Sequence, residues 1–245
     1  MPRKPYLSLV GRKRQSGDES IEVGTQAIDQ HPELRSLVGA CLMAWPFVEM
    51  ELALILGQLL GSTTDAAMAV FQTIRRSAPQ RDAISEAGRH ALSEADQELL
   101  SAVLSVQKSI EADRNALAHG FFGHSSLLPK DYIWQETTDY LKHRSETILK
   151  NDTQWNRLKH EEIVKTFFVY TKDDLEQIRS DIIELGEILH AFLRYLKHLH
   201  LGGPLLSQLR RQLCERPHMA RELVRLHREK TLQALGGRGL PEPEC

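Results

Sequence analysis

Between Leu34 and Leu59 the apolar residues recur in steps of three and four: Leu34, Leu37, Val38, Cys41, Leu42, Trp45, Val48, Leu52, Ile55, Leu56 and Leu59. That spacing lines one face of a helix and does not match the two-residue period of a strand. A helix this long has to bury its stripe, so the ladder points to a mainly helical core. The helix is expected to open at His31-Pro32-Glu33, with proline in the first turn, where its missing N–H costs nothing. Pro46 should kink it or divide it in two. Arg35, Pro46, Glu49 and Glu51 interrupt the stretch from Leu34 to Leu60. A membrane span needs about 20 apolar residues in a row, so a buried helix is expected instead.

Further helices follow the same logic. Gly61-Ser62-Thr63-Thr64-Asp65 is a break with a cap, and helices are expected over 65–76 and about 79–92. Ser93 with Asp96 reads as a capping box opening a long helix, with core positions Leu99, Leu100, Val103, Leu104, Val106 and Ile110. It runs to His119, and Gly120 is a natural stop. Residues 121–170 hold most of the aromatics, and Ile133–Thr138 and Ile163–Tyr170 are expected to form a small hairpin. Thr171-Lys172-Asp173-Asp174 caps a helix over about 172–200, which Gly202-Gly203-Pro204 ends. Residues 205–213 and 217–234 read as two short basic helices, and 236–245 as a loose tail. Residues 1–30, with scattered Pro and Gly and weak periodicity, read as a flexible basic arm. The expected organisation is thus an arm over 1–30, a helical domain over 31–201 with an insert at 121–170, and a C-terminal extension over 202–245.

The 245 residues suit one large domain or two small ones, and 41% hydrophobic residues can fill a core. A net charge of -2 excludes a strongly basic nucleic-acid protein on global numbers, but the charge is unevenly spread. Residues 1–14 carry +5 and residues 201–245 carry +3, which leaves -10 on the body. Cys41, Cys214 and Cys245 are far apart and form no CxxC pair, so a reducing, cytoplasmic setting is expected. No apolar segment follows the N-terminal charges, so no signal peptide is expected.

Two features stand out chemically. Leu42, Trp45, Glu49, Leu52, Leu56 and Leu59 fall on one helical stripe, and only Glu49 is polar. A core-facing carboxylate is costly without a donor; the alternative is that Glu49 lies at the stripe's edge and reaches water. The second feature is Arg114-Asn115-Ala116-Leu117-Ala118-His119. Asn115 and His119 share a face at i and i+4, whereas Arg114 is about 140° around an ideal helix from His119. His119 in the last turn meets the negative end of the helix dipole, which favours the protonated ring. A cationic histidine beside an arginine suits a site that handles phosphate; the alternative is a solvated arginine and a capping histidine.

The string from Arg114 to Gly120 at the end of a long helix, in an all-helical frame with an acid upstream, resembles the HEPN superfamily. The hallmark of that superfamily is Arg, four to six residues, then His, often with a polar residue directly after the Arg. The resemblance covers roughly 34–200 in helix order. It implies a four- to five-helix bundle that dimerises and brings two Arg/His sets into one cleft. Many members are metal-independent endoribonucleases, found as toxins or in antiviral defence.

The residues suit that chemistry without a cofactor. RNA supplies its own nucleophile, the 2′-OH. His119 would take or donate the proton, and Arg114 would grip the scissile phosphate. Asn115 would orient the phosphate or the His119 ring, and Glu49 would fix Arg114 from behind. RNA is the implied substrate, with a second copy and an antitoxin or regulatory protein as partners. In one toxin branch a Tyr two residues after the His is modified by the antitoxin; Phe121 stands there and has no oxygen to modify.

No metal site is expected: His198 and His200 point to different faces, and His119 and His124 lack an acid or Cys cluster. Two other readings stay open. One is a non-catalytic helical adaptor or RNA- or protein-binding module, since an acidic body repels RNA. The other is a plain helical protein in which the motif is accidental. The basic arm and Arg210, Arg211, Arg221, Arg225 and Arg228 would serve as tethers for RNA or form solvated faces.

Overall fold

The computed structural model describes residues 4–11, 20–149 and 162–236. The fold is mainly helical with a small antiparallel sheet. It divides into two compact units, Met1–Trp45 with Ile110–Ile182, and Pro46–Ser109 with Ile183–Cys245. These divisions cut through long helices.

In the first unit, the strands are β1 (Lys4–Pro5), β2 (Ile21–Val23), β3 (Phe121–Ser125), β4 (Tyr132–Gln135) and β5 (Phe167–Tyr170). Their order is β1-β5-β4-β3-β2, antiparallel throughout. The expected pairing of the segments around Ile133 and Tyr170 is present, with Ile133 opposite Val169 and Trp134 opposite Phe168. Three further strands extend it, and two of them come from the segment expected to be a flexible arm. Its described residues fold: helix α1 (Tyr6–Val10) buries Tyr6 and Val10 against Ile133, Val164, Phe167 and Val169, and α2 (Thr25–Asp29) follows β2. Tyr6 shares a 2.6 Å hydrogen bond with Ser125. Sequence periodicity could not reveal this, because strands of two and three residues carry no readable alternation. Arg3, Arg12, Lys13 and Arg14 lie outside the described residues.

Helix α3 (Pro32–Leu60) runs unbroken through Pro46. Pro46 is exposed, on a side where water can satisfy the carbonyl that loses its N–H partner. By length and composition α3 is apolar enough to cross a membrane, a test that core helices also pass. Cys41, Trp45, Val48, Leu52, Ala53, Ile55 and Leu56 are buried. In unit 1 the Cys41 thiol points at the Leu175 carbonyl, 3.8 Å away, and Tyr132 donates to the carbonyls of Ile28 and His31 at the start of α3.

The second unit holds the rest of α3, then α4 (Thr64–Thr73), α5 (Ser77–Ala91) and the start of α6 (Glu94–His119). α7 (Thr137–Leu149) belongs to unit 1, and α8 (Lys172–His198) passes from unit 1 into unit 2. A 3-10 turn at Leu199–Leu201, α9 (Gly203–Cys214) and α10 (Pro217–Gly236) complete it. Both capping boxes form: Ser93 and Asp96 bond reciprocally at the start of α6, as do Thr171 and Asp174 at the start of α8. Gly202 and Gly203 both take positive φ, 58° and 73°, which ends α8 at the expected place. The unit's core includes Ile55, Phe71, Ile84, Leu99, Val103, Leu189 and Phe192.

Candidate functional site

The Arg114–His119 string occupies the last turns of α6 in unit 1. This helix end is fixed by the sheet that follows. The Trp134 indole N–H donates to the Ala116 carbonyl at 3.0 Å, and the Gly120 amide donates to the same oxygen at 3.1 Å. The Thr137 hydroxyl donates to the His119 carbonyl. Three donors thus cover two carbonyls that a helix end otherwise leaves open. Gly120 was expected as a stop of ordinary glycine type. Its φ is not positive; glycine is required because a Cβ there would lie 1.7 Å from Trp134 Nε1.

Arg114 is half-buried. Its guanidinium carbon sits 5.4 Å from the ring centroid of Trp45, a cation–π contact with a residue that is itself 2% exposed. Its Nη1 donates to Asn115 Oδ1 at 3.0 Å. Its Nε is buried without a hydrogen-bond partner. Asn115 therefore orients Arg114, not the His119 ring. His119 is exposed, and among the described residues its imidazole makes no hydrogen bond. The structure brings Arg114 and Asn115 together; it does not join either to His119.

Glu49 departs from the core-facing expectation. It is exposed and belongs to the other unit. The buried stripe of α3 runs Cys41, Trp45, Val48, Leu52, Ile55, Leu56 and Leu59. It keeps Trp45, Leu52, Leu56 and Leu59 of the expected stripe, whereas Leu42 is half-buried and Glu49 lies exposed at its edge. The half-buried acid of α3 is Glu51, whose Oε1 lies 3.2 Å from His190 Nδ1.

Two neighbours of the helix end escaped the sequence reading. Phe121 stacks on Tyr140 of α7, with ring centroids 3.8 Å apart and planes 19° from parallel. Arg144 donates to the Tyr140 hydroxyl at 3.1 Å. Nineteen residues separate Phe121 from Tyr140, and no local pattern marks so distant a contact.

Other nucleophiles and ligands are poorly placed. Burial pushes the Cys41 thiol up to about 11, the opposite of what a reactive thiolate needs. Within either unit taken alone, the described residues hold no trio of His, Cys, Asp or Glu ligands close enough to share a metal ion. Part of the basic charge of the C-terminal segment is engaged in ion pairs. Arg210 reaches Asp96, Arg216 reaches Glu187, Arg225 reaches Glu222 and Glu229, and Lys230 reaches Glu98.

Comparison with family models, with curated proteins and with solved structures returns no match to this chain.

Proposed function

We propose that this protein is a metal-independent endoribonuclease that works as a homodimer. The observation that carries the reading is the end of α6: an arginine held by Asn115 and Trp45, and one turn on a solvent-exposed histidine on a helix end fixed by the sheet. In the reaction the 2′-oxygen of RNA attacks the adjacent phosphorus and the P–O5′ bond breaks. The products are a 2′,3′-cyclic phosphate and a 5′-hydroxyl. One imidazole takes the 2′-OH proton, and another gives a proton to the leaving 5′-oxygen. Arg114 neutralises the charge that builds on the phosphate.

One chain supplies one imidazole, and Arg114 and His119 are not joined within it. A second copy supplies the missing acid or base, which is the physical reason to propose a dimer. An endoribonuclease of this kind would act in the cytoplasm as a toxin or an antiviral defence effector, under control of an antitoxin or another regulatory protein. The free thiols Cys41 and Cys214 suit that reducing compartment.

A second reading draws on Arg114 itself. An arginine half-buried against Trp45 and bonded to its own neighbour has a packing role that needs no substrate. In that reading the chain is a non-catalytic helical adaptor or binding module. Incubation of purified protein with RNA in EDTA separates the two. The nuclease reading expects cleavage that leaves cyclic phosphate ends and is lost in His119→Ala and Arg114→Ala. Cleavage that survives both substitutions, or no cleavage by a folded dimer on any RNA tested, would favour the module.

A further inference from the structure

We propose that Phe121, Tyr140 and Arg144 form a stacking subsite for an unpaired base of single-stranded RNA beside His119. The identity of the ligand rests on the ribonuclease reading; the geometry does not.

Placement comes first. β3 begins at Phe121, two residues after His119, and α7 is tied to the end of α6 because Thr137 donates to the His119 carbonyl. Tyr140 lies one turn into α7, and its ring stacks on Phe121 at 3.8 Å. Arg144 lies one further turn along and is exposed, with Nη1 on the Tyr140 hydroxyl at 3.1 Å. A flat ring pair with a cation at its rim is therefore carried on the backbone segments that adjoin His119.

This pair is less buried than most of the sheet's aromatics, although Phe168 is half-buried too. Phe122, Tyr132, Trp134 and Tyr170 are buried within the sheet's own packing. Phe121 and Tyr140 are both only half-buried. A pair that served packing alone would gain by being covered, because aromatic rings carry large apolar areas. Every base has a π-face, so an aromatic platform holds unpaired bases with little regard to sequence. Arg144 can meet the phosphate next to a stacked base while keeping its contact with Tyr140.

The surrounding charge makes the site selective. Glu136, just before α7, is exposed, and Asp139 in its first turn is half-buried. These acids repel a polyanion approaching at random. A neutral base on the Tyr140 ring feels little of that repulsion. Binding here should therefore depend on stacking and show a shallow salt dependence, with a log–log slope near that of one phosphate contact, roughly -0.7.

The test uses the full chain and a short 2′-O-methyl RNA strand, which cannot be cut, carrying one 2-aminopurine. Stacking quenches 2-aminopurine fluorescence, a signal that a packing role does not produce. Wild type should bind the strand and quench it. Tyr140→Leu should weaken binding on the order of tenfold to a hundredfold and abolish the quench. Arg144→Gln should weaken binding by a few fold and flatten the salt slope.

Full affinity and quench in folded Tyr140→Leu overturn the proposal, as does wild type that fails to bind or binds without quench. If Tyr140→Leu does not fold, Tyr140→Trp keeps a ring in place and should retain the quench; its loss counts against the subsite. The two proposals fail separately. Strands bound and quenched but never cut as unmodified RNA remove the nuclease reading and leave the subsite. RNA cut while 2-aminopurine stays bright does the reverse.

Discussion

The indole of Trp134 fills the space that a side chain on Gly120 would need. A Cβ there would meet Nε1 at 1.7 Å, and the same Nε1 donates to the Ala116 carbonyl at 3.0 Å. The turn that carries His119 is thereby clamped between helix and sheet. Gly120→Ala must displace the ring, break that hydrogen bond and strain the first residues of β3. The expected cost is about 2–4 kcal/mol. Of the chain's three tryptophans, Trp45 and Trp134 fall in unit 1, and Trp155 lies outside the described residues. Urea unfolding followed by tryptophan fluorescence therefore reads this cost directly. A shift under 0.5 kcal/mol, on the scale of an ordinary surface change, would mean that the contact yields without strain.

Arg114 and His119 should separate in a stability measurement, although both are expected to matter for cleavage. Arg114→Ala removes the contact with Trp45 and the bond to Asn115, for a loss of about 1 kcal/mol. His119 is exposed, and among the described residues its ring makes no hydrogen bond. His119→Ala should leave stability within about 0.5 kcal/mol. It is the cleaner probe of function. The same fluorescence-monitored unfolding checks both, and equal losses in the two variants would show that His119 has a structural partner.

The contrast between these residues also marks where sequence pattern stops. The long helices, both capping boxes and the double-glycine stop were legible because each depends on neighbours within four residues. The pairing of the segments around Ile133 and Tyr170 was legible from residue type. The strands at Lys4–Pro5 and Ile21–Val23 were not, since their partners lie more than 100 residues away. Glu49 was left open between core and water: Trp45, Leu52, Leu56 and Leu59 of its stripe are buried, and only the packing partner decides that Glu49 falls at the exposed edge. Arg114, Asn115 and His119 were legible as a string. That Trp45 carries Arg114 was not, because Trp45 read simply as a core residue.

Arg210 illustrates why charge totals mislead. Its Nη1 donates to Asp96 Oδ1 at 2.9 Å and its Nη2 to the Ala95 carbonyl at 3.1 Å, while the Tyr195 hydroxyl donates to the same Asp96 oxygen at 2.5 Å. Ser93 takes the other oxygen. Within unit 2 this one carboxylate caps α6 and ties it to α8 and α9. Asp96→Ala should cost about 2–3 kcal/mol, and Tyr195→Phe about 1 kcal/mol. Hydrogen exchange of the α6 amides near Asp96 should quicken in both. Arg210 is thus committed to the fold, so Arg210→Ala should lower stability and leave the salt dependence of RNA binding unchanged. A flatter salt slope in that variant would return Arg210 to the role of an RNA tether.

The last expectation concerns pH. His31 and His124 face each other in unit 1 with Nε2 and Nδ1 3.0 Å apart, and His31 is 5% exposed. Glu33 lies 3.9 Å from the other His31 nitrogen, and the Tyr132 ring meets His31 edge-on. Asp131 is in electrostatic reach of His31, and Glu22 stands opposite His124 in the β2–β3 ladder. Burial, and then the neighbouring His31, hold the His124 pKa below the ordinary histidine value, with Glu22 pulling the other way. A histidine with a lowered folded-state pKa binds fewer protons in the folded chain than in the unfolded one. Stability contributed by its neutral form is therefore complete above about pH 6.5 and is lost as the pH falls below that value. Unit 1 should lose stability as the pH falls through about 6.5, before most carboxylates begin to titrate. His124→Gln, which stays neutral throughout, should show a flatter profile over the same range by tryptophan-monitored urea unfolding. Parallel profiles for the two proteins would place the titration elsewhere and remove His124 from the account.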